Sequence, residues 1–204
     1  MKATNVANPR PALSGSTSPK PTPPVTAAYL ERAALHYLER YSASVAMLRR
    51  TLQRRVEKRC CLRGEDPSAH AEAIAAVVAR AVSAGLVDDA RFTAGRMAAL
   101  RRRGTSARAL SAKLAAKGVS RDLVADAMAA ERDEADAEGT DTEETAAAAY
   151  ARRRRLGPWR RPGTREAHRD RDLAAMARAG FAYGLARRIV EAEMDAEVEP
   201  DADP

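Results

Sequence analysis

Two adjacent carboxylates, Asp88 and Asp89, come closest in this sequence to the chemistry of a metal or acid–base site. Adjacent residues at the start of a helix do not face each other, however, and no histidine lies near them in sequence. His36, His70 and His168 are far apart and share no spacing typical of metal ligands. We therefore predict no catalytic residue, no metal site and no cofactor.

The motifs of nucleotide-binding and nucleophilic enzymes are also missing from the sequence. There is no glycine-rich phosphate loop, no nucleophile elbow and no metalloprotease motif. Cys60 and Cys61 are the only cysteines, and two neighbours cannot form a disulfide framework. No apolar stretch approaches the roughly 18 residues of a membrane span, and no secretory signal is recognisable. These features predict a non-enzymatic protein of the reducing cytoplasm with no membrane contact.

Arginine and lysine are concentrated in three clusters, which supply the candidate binding residues. Such cations can bind an acidic protein surface or the phosphates of nucleic acid, although a single charged residue is more often simply solvated. Because the clusters recur at corresponding places in successive segments, we expect stacking to align them in a stripe. The candidates are Arg49, Arg50, Arg54 and Arg55; then Arg101, Arg102, Arg103, Arg108, Lys113 and Lys117; and finally Arg152, Arg153, Arg154, Arg155, Arg160 and Arg161.

Trp159 lies within the third cluster and has two interpretations. It can stack on a base or anchor a protein partner, as tryptophans at interfaces often do. It can equally fill a loop that packs against a neighbouring helix. We include Trp159 among the candidate binding residues and leave both interpretations open.

The charge of the chain indicates an acidic partner. The sequence has 35 Lys and Arg against 28 Asp and Glu, which gives a net charge of +7 and a pI near 9.8. Residues 191–204 hold seven acids and no base, so the remainder carries 35 minus 21, or +14. A body of this charge suits a polyanion, and the acidic tail can compete for the same basic surface.

The composition and the hydrophobic period predict an all-α fold with small cores. Alanine accounts for 47 residues, whereas aromatic residues make up only 4%. Capping residues and glycines divide the helical segments, and apolar residues mark the buried faces of the helices. We assign a structural role to Gly85, Asp88, Asp89, Phe92, Gly104, Leu110, Leu114 and Gly118. The predicted organisation is a disordered Pro-rich arm (1–26), three-helix repeats (27–86 and 87–135), an acidic linker (136–140), a third three-helix repeat (141–194) and an acidic tail (195–204).

An internal repeat supports this division. Ser44, Leu48 and Leu52 recur 62 residues later as Ser106, Leu110 and Leu114, and Leu114 and Gly118 recur at the same offset as Met176 and Gly180. We interpret the equality of the two offsets as partly accidental, because the loops between the helices differ in length. None of the three units has many large apolar side chains, so we expect neighbours to stack into an elongated, curved array.

Two stretches of the sequence resemble the RecX family of bacterial recombinase regulators. The first runs from Gly85 to Phe92 as Gly-Leu-Val-Asp-Asp-Ala-Arg-Phe, followed by Gly104 and by Leu-Ser-Ala-Lys-Leu-Ala-Ala-Lys-Gly-Val at 110–119. The second is Ala-Leu-His-Tyr-Leu at 34–38 with Ser42, Ser44 and Leu48. The resemblance covers about 27–194 and is strongest over 85–128. The arginine-rich stretch 152–161, with Gly157, Pro158 and Gly163, departs from the family pattern.

The resemblance implies three tandem three-helix repeats that bind along the groove of a RecA filament on single-stranded DNA. It implies no reaction of the chain's own, but inhibition of filament growth, ATP hydrolysis, strand exchange and repressor co-cleavage. We therefore expect a monomeric, cytoplasmic regulator of DNA repair and recombination whose partners are the RecA filament and single-stranded or duplex DNA. Two alternatives remain: a stand-alone helical DNA-binding regulator, and an enzyme that uses Asp88 or Asp89 with a metal.

Overall fold

The computed structural model describes residues 22–193, which form nine α-helices and contain no β-strand. The helices are α1 (Ala27–Leu38), α2 (Val45–Arg63), α3 (Ala71–Ser83), α4 (Asp89–Arg101), α5 (Ala107–Ala116), α6 (Arg121–Ala137), α7 (Thr142–Arg154), α8 (Arg165–Ala179) and α9 (Tyr183–Glu191). The predicted all-α fold of tandem three-helix repeats is confirmed. Most of the predicted N-terminal arm and all of the tail from residue 195 lie outside the described residues. No described helix is both long and apolar enough to cross a membrane.

Side-chain caps begin α2, α4, α5 and α6 at defined residues. The Ser44 hydroxyl accepts the Met47 N–H at the start of α2, and the Asp88 carboxylate accepts two backbone N–H groups of α4. Ser106 and Ser120 cap α5 and α6 in the same way. Each cap satisfies an N–H that has no partner within its helix, so these short helices begin at defined residues.

Three small hydrophobic cores lie along the chain, one for each group of three helices. The first is formed by α1–α3 around Leu30, Leu48 and Val78, and the second by α4–α6 around Leu110 and Leu114. The third, formed by α7–α9, contains Ala146, Ala147, Ala151, Leu156, Leu173, Met176, Phe181, Leu185, Ala186, Ile189 and Val190. Alanine fills much of this core, which lets the helices pack closely but buries little apolar surface per residue.

The acidic segment between α6 and α7 is shorter than the sequence predicts. Residues 136 and 137 belong to α6, because Ala135 is buried and anchors the last turn. The helix then ends at Gly139, whose φ of 67° few other residues adopt readily, and the Thr140 N–H donates to the Ala135 carbonyl at 2.8 Å. The connection to α7 is therefore a tight helix end that is shorter than the predicted linker 136–140.

Two matching joints hold consecutive groups of helices together. Joint 1 is formed by Ser44, Val45, Asp89, Lys117 and Gly118. The Ser44 hydroxyl donates to the Lys117 carbonyl at the end of α5 at 2.6 Å, and the Val45 N–H donates to the Asp89 carboxylate at 2.8 Å. The N-terminus of α2 is thereby bonded to the C-terminus of α5 and to the first residue of α4.

Joint 2 repeats this arrangement with Ser106, Ala107, Glu143, Ala179 and Gly180. The Ser106 hydroxyl donates to the Ala179 carbonyl at the end of α8 at 2.6 Å, and the Ala107 N–H donates to the Glu143 carboxylate of α7 at 2.9 Å. Both serine contacts join residues 73 apart in sequence. The two joints are therefore equivalent contacts between successive units. The helices that carry them differ in length, with 19 residues in α2, 10 in α5 and 15 in α8, so the equality of the two offsets remains partly accidental.

A glycine allows the backbones to approach at each joint. Gly118 has a φ of +81°, and a Cβ added to it would lie 2.3 Å from the Cβ of Ala46. Gly180 has a φ of +96°, and its added Cβ would lie 2.7 Å from the Ser106 hydroxyl. Since both the backbone conformation and the space exclude a side chain, glycine is required for the close contact between successive units.

The joints predict that Ser106→Ala destabilises the protein more than Ser120→Ala does. Both substitutions remove an N-cap, which costs about 1 kcal/mol. Only Ser106 also bonds across a joint, and its loss leaves the partly buried Ala179 carbonyl without that donor, at a further cost of about 1 kcal/mol. Urea unfolding followed by circular dichroism measures both values. Equal losses for the two variants would contradict a stabilising role of the joint.

Candidate cationic interface

The first two arginine clusters meet at a cleft beside joint 1. Arg50 and Arg54 of α2 line this cleft together with Lys117 at the end of α5 and one acid, Glu57, around a volume of about 460 Å³. The Arg50 guanidinium also donates to the Ala116 carbonyl at 3.3 Å. Contact between the end of α5 and the start of α2 thus brings cations of two successive units to one surface.

A second cleft beside joint 2 collects cations of the second and third units. Lys113 of α5, Arg153 and Arg154 of α7 and Arg178 of α8 line a volume of about 370 Å³. Tyr150 also lines this cleft, and the guanidinium carbons of Arg153 and Arg154 each lie 5.9 Å from the centre of its ring. The sequence analysis did not select Arg178, because it belongs to no run of basic residues. Its position two residues before Gly180, which corresponds to Gly118 in the repeat, was the signal that could have identified it.

Fourteen of the sixteen candidate cations have no acidic partner in residues 22–193, and all of these except the partly buried Arg55 and Lys117 are exposed. Within that range, no carboxylate oxygen lies within 4 Å of any of them. This group comprises Arg49, Arg50, Arg54, Arg55, Arg102, Arg103, Arg108, Lys113, Lys117, Arg152, Arg153, Arg154, Arg155 and Arg161. Their charge is therefore not neutralised by the described fold, although cations near the ends of α4, α5 and α7 also stabilise those helix C-termini.

Arg101, in contrast, is committed to the interior of the fold. Its guanidinium pairs with Glu131 of α6 at 2.8 Å and with Glu143 of α7 at 2.7 Å, and only 12% of its side chain is exposed. Burial opposes its charge, but the hydrogen bonds from both carboxylates outweigh burial and raise the pKa of Arg101. Since Glu143 also accepts the Ala107 N–H, Arg101 supports joint 2. We remove Arg101 from the cationic interface.

Arg160 is likewise held inside the third unit. It donates two hydrogen bonds to the Asp172 carboxylate, whose side chain is 1% exposed, and Asp172 also accepts the Gly157 N–H at 2.9 Å. Burial raises the pKa of the Asp172 carboxyl, but the bonds from Arg160 and Gly157 outweigh it and leave the pKa lowered. Arg160 therefore fixes the connection between α7 and α8 and is also removed from the interface.

Trp159 lies in the short 3₁₀ helix Gly157–Trp159, between α7 and α8. Its partly buried ring packs against the third core, and Pro158 beside it is buried. These contacts favour the interpretation of Trp159 as a loop residue packed on a helix, while its exposed portion leaves room for a partner.

Asp88 and Asp89 are both used as caps. Asp88 bonds the Ala90 and Arg91 N–H groups, and the bond from Arg91 is the largest cause of its lowered pKa. Asp89 accepts the Val45 N–H in joint 1. The two carboxylates therefore serve the architecture, and the only group of three potential metal ligands found in residues 22–193 does not include them.

That group consists of Cys60, Glu65 and His70, whose ligand atoms lie within 4.8 Å of one another. A thiol, a carboxylate and an imidazole are donors that a divalent zinc-like ion accepts. Cys60 is fully buried, however, and burial is the largest cause of the raised pKa of its thiol, which favours the protonated form. Glu65 is engaged by Arg63 at 2.6 Å. We therefore assign no metal to these residues.

Three helical groups linked by repeated joints, with cationic clefts beside the joints, define a helical-repeat protein with a basic surface. The family model described as "RecX, second three-helix domain" matches residues 88–128. The chain is 42% identical over 174 residues to the regulatory protein RecX of Myxococcus xanthus (strain DK1622), covering 85% of this chain and 90% of that protein. The chain belongs to the RecX family. The resemblance noted in the sequence, strongest over 85–128, is thereby confirmed.

Two further relatives agree with this assignment. The regulatory protein RecX of Thermobifida fusca (strain YX) is 36% identical over 128 residues, covering 62% of this chain and 64% of that protein. The crystal structure of RecX from Lactobacillus salivarius superposes with a TM-score of 0.54 at 16% identity, covering 81% of this chain and 94% of that chain. At this identity the structure supports the fold alone.

The buried ion pair predicts a pH-dependent effect of Asp172→Asn. Because the pKa of Asp172 is lower in the folded than in the unfolded chain, its stabilisation is complete above about pH 4 and is lost as the pH falls further. The variant should lose about 3 kcal/mol near pH 6, and the gap to the unchanged protein should narrow below pH 4. Urea unfolding followed by Trp159 fluorescence measures the gap. The control Asp170→Asn, whose side chain is 95% exposed, should change stability by less than about 0.5 kcal/mol at every pH.

Arg155→Gly should stabilise the protein by about 1 kcal/mol. Arg155 ends α7 with a φ of 53°, and among non-glycine residues in 22–193 it alone has a positive φ. Glycine adopts this conformation without the steric cost that a Cβ imposes. The control Arg154→Gly lies in the helix and should instead destabilise by about 1 kcal/mol. Thermal unfolding compares the variants, and a loss of stability in both would refute the assignment of strain to Arg155.

Proposed function

We propose that this chain regulates RecA by binding the RecA filament on single-stranded DNA and lowering its recombinase, ATPase and co-protease activities. Membership of the RecX family supports a regulatory role. The observation that carries the proposal is the pair of cationic clefts, where cations from successive units converge and Glu57 is the one acid in either lining. A filament of nucleic acid and protein offers a repeated anionic surface that matches such an arrangement.

Binding through several weak sites on one frame is sufficient for this role. Each of the proposed modules, 27–86, 87–135 and 141–194, contributes cations, and joints 1 and 2 fix their spacing. Linked contacts add to an avidity that no single cleft provides. Occupying the filament obstructs its growth and turnover, so we propose that the chain acts without a reaction of its own, as a monomer in the cytoplasm.

Whether the cations meet phosphates or carboxylates determines how binding depends on the nucleic acid. Contacts with phosphate release counterions, so affinity falls steeply as salt rises. Contacts with acidic protein residues also weaken in salt, but they do not depend on the length of DNA outside the filament. Binding should therefore be compared on RecA filaments, free RecA and naked single strands. Tight, sequence-selective binding to naked DNA would favour the alternative of a stand-alone helical DNA-binding regulator.

The decisive test is the single-strand-dependent ATPase of RecA measured against increasing amounts of this protein. We expect hydrolysis to fall as the filament is occupied. The double variant Arg153→Gln and Arg154→Gln should raise the half-inhibiting concentration about tenfold, because two charged contacts are worth about 1.4 kcal/mol together.

The matched control is the double variant Arg32→Gln and Arg40→Gln. These two arginines are exposed on and just after α1, have no acidic partner in residues 22–193, and line neither cleft. Both double variants lower the net charge by the same amount, and the control should stay within about twofold of the unchanged protein. Unchanged hydrolysis at saturating amounts of the unmodified chain would reject the proposed function.

A further inference from the structure

A run of four consecutive arginines lies at the C-terminal end of α7. Arg152, Arg153, Arg154 and Arg155 are all exposed there. Two residues later, Gly157 packs against α9: a Cβ added to Gly157 would lie 2.7 Å from the Cα and carbonyl oxygen of Val190. The arginines are therefore beside the last turn of α9, where the described chain approaches its end.

The end of α9 is held at this place. The Arg165 guanidinium donates to the Ala192 carbonyl at 2.6 Å. The Glu191 carboxylate is paired with Arg169 and, at 2.9 Å, with Arg187. Ala192 has left the helical conformation, with φ −55° and ψ 136°. The chain thus leaves α9 from a fixed point close to the α7 arginines.

The sequence that follows has a regular anionic pattern. Every second residue from 191 onward is acidic: Glu191, Glu193, Asp195, Glu197, Glu199, Asp201 and Asp203. In an extended chain, residues two apart point to the same side and are about 7 Å apart. This segment can therefore present one row of evenly spaced carboxylates, which is the chemical character of a polyanionic backbone.

The segment is long enough to reach both the arginines and the cleft at joint 2. A fully extended chain of the length of 193–204 spans about 40 Å. The distance it has to cover is much shorter, because Arg155 is at most about 7 Å from Gly157, which contacts α9. Arg178, which lines the cleft at joint 2, is thirteen residues after Arg165 along α8, or about 20 Å. The segment is therefore long enough to contact both the α7 arginines and Arg178.

We propose that the alternating acidic segment 193–203 binds the arginines at the end of α7 and competes there with the polyanionic partner of the protein. The contact pairs unneutralised cations with carboxylates tethered to the neighbouring end of α9, so its effective concentration is high. The competition step rests on the proposed function, whereas the contact itself does not. The partner must then displace this segment from the arginines. Anions that bind the arginines more weakly than the segment does are therefore excluded.

The contact can be measured in the full chain by energy transfer from Trp159, the only tryptophan. A dansyl acceptor is attached to Ala202→Cys in a chain in which the exposed Cys61 is replaced by Ser, while the buried Cys60 stays in place. We expect strong transfer at low ionic strength. It should fall at least about twofold near 1 M salt, where the screening length is only about 3 Å.

Three variants make the result specific. Replacing the six acids at 193–203 by Asn or Gln should give low transfer at every salt concentration. Arg153→Gln with Arg154→Gln should lower transfer at low salt, whereas the control Arg32→Gln with Arg40→Gln should leave it unchanged. Equal transfer with the acidic and the neutral segments, or equal effects of the two arginine pairs, would overturn the proposal.

Adding RecA filaments then separates this proposal from the proposed function. A fall in transfer on filament addition supports competition for the same arginines. Transfer that stays high while the filaments bind, as measured by co-sedimentation, would overturn the competition step. If the filaments do not bind at all, the proposed function fails, but the salt-sensitive transfer still tests the internal contact.

Discussion

The structure depends on a buried serine hydroxyl that serves two helices at once. Ser44 and Ser106 each cap the helix they begin and donate to the last turn of the second helix in the next unit. The positive end of one helix dipole is thereby placed against the negative end of another, which is favourable. Because the three cores are small, and the third is rich in alanine, these polar joints are needed to set how successive units are arranged.

The same joints separate the charges of the molecule. Acidic side chains are used internally: Asp89 and Glu143 accept backbone N–H groups across the joints, and Asp172 holds Arg160. Many arginines remain at the surface without a carboxylate in the described chain, and those beside the joints converge in the two clefts. A RecX protein built this way presents its positive charge at a spacing fixed by its helical frame, which suits a partner with a repeated anionic surface.

Neighbouring arginines in one sequence cluster have different roles, and nothing in the cluster distinguishes them. Arg101 and Arg160 are part of internal ion pairs, whereas Arg102 and Arg161 beside them are exposed. The difference arises from Glu131, Glu143 and Asp172, which lie between 12 and 42 residues away in sequence. Arg178 shows the opposite case. It stands apart from the basic clusters in the sequence, and only folding brings it to the cleft beside joint 2.

The sequence by itself determined the all-α class, the family and most of the helix starts, because helical periodicity and capping involve residues only three or four positions apart. It also showed the 62-residue offset, but not which contacts recur from one unit to the next. Only the tertiary structure decided that, through hydroxyl contacts between residues 73 apart. Such contacts depend on the path of the whole chain, and the same path decides which charges are paired inside and which remain for a partner.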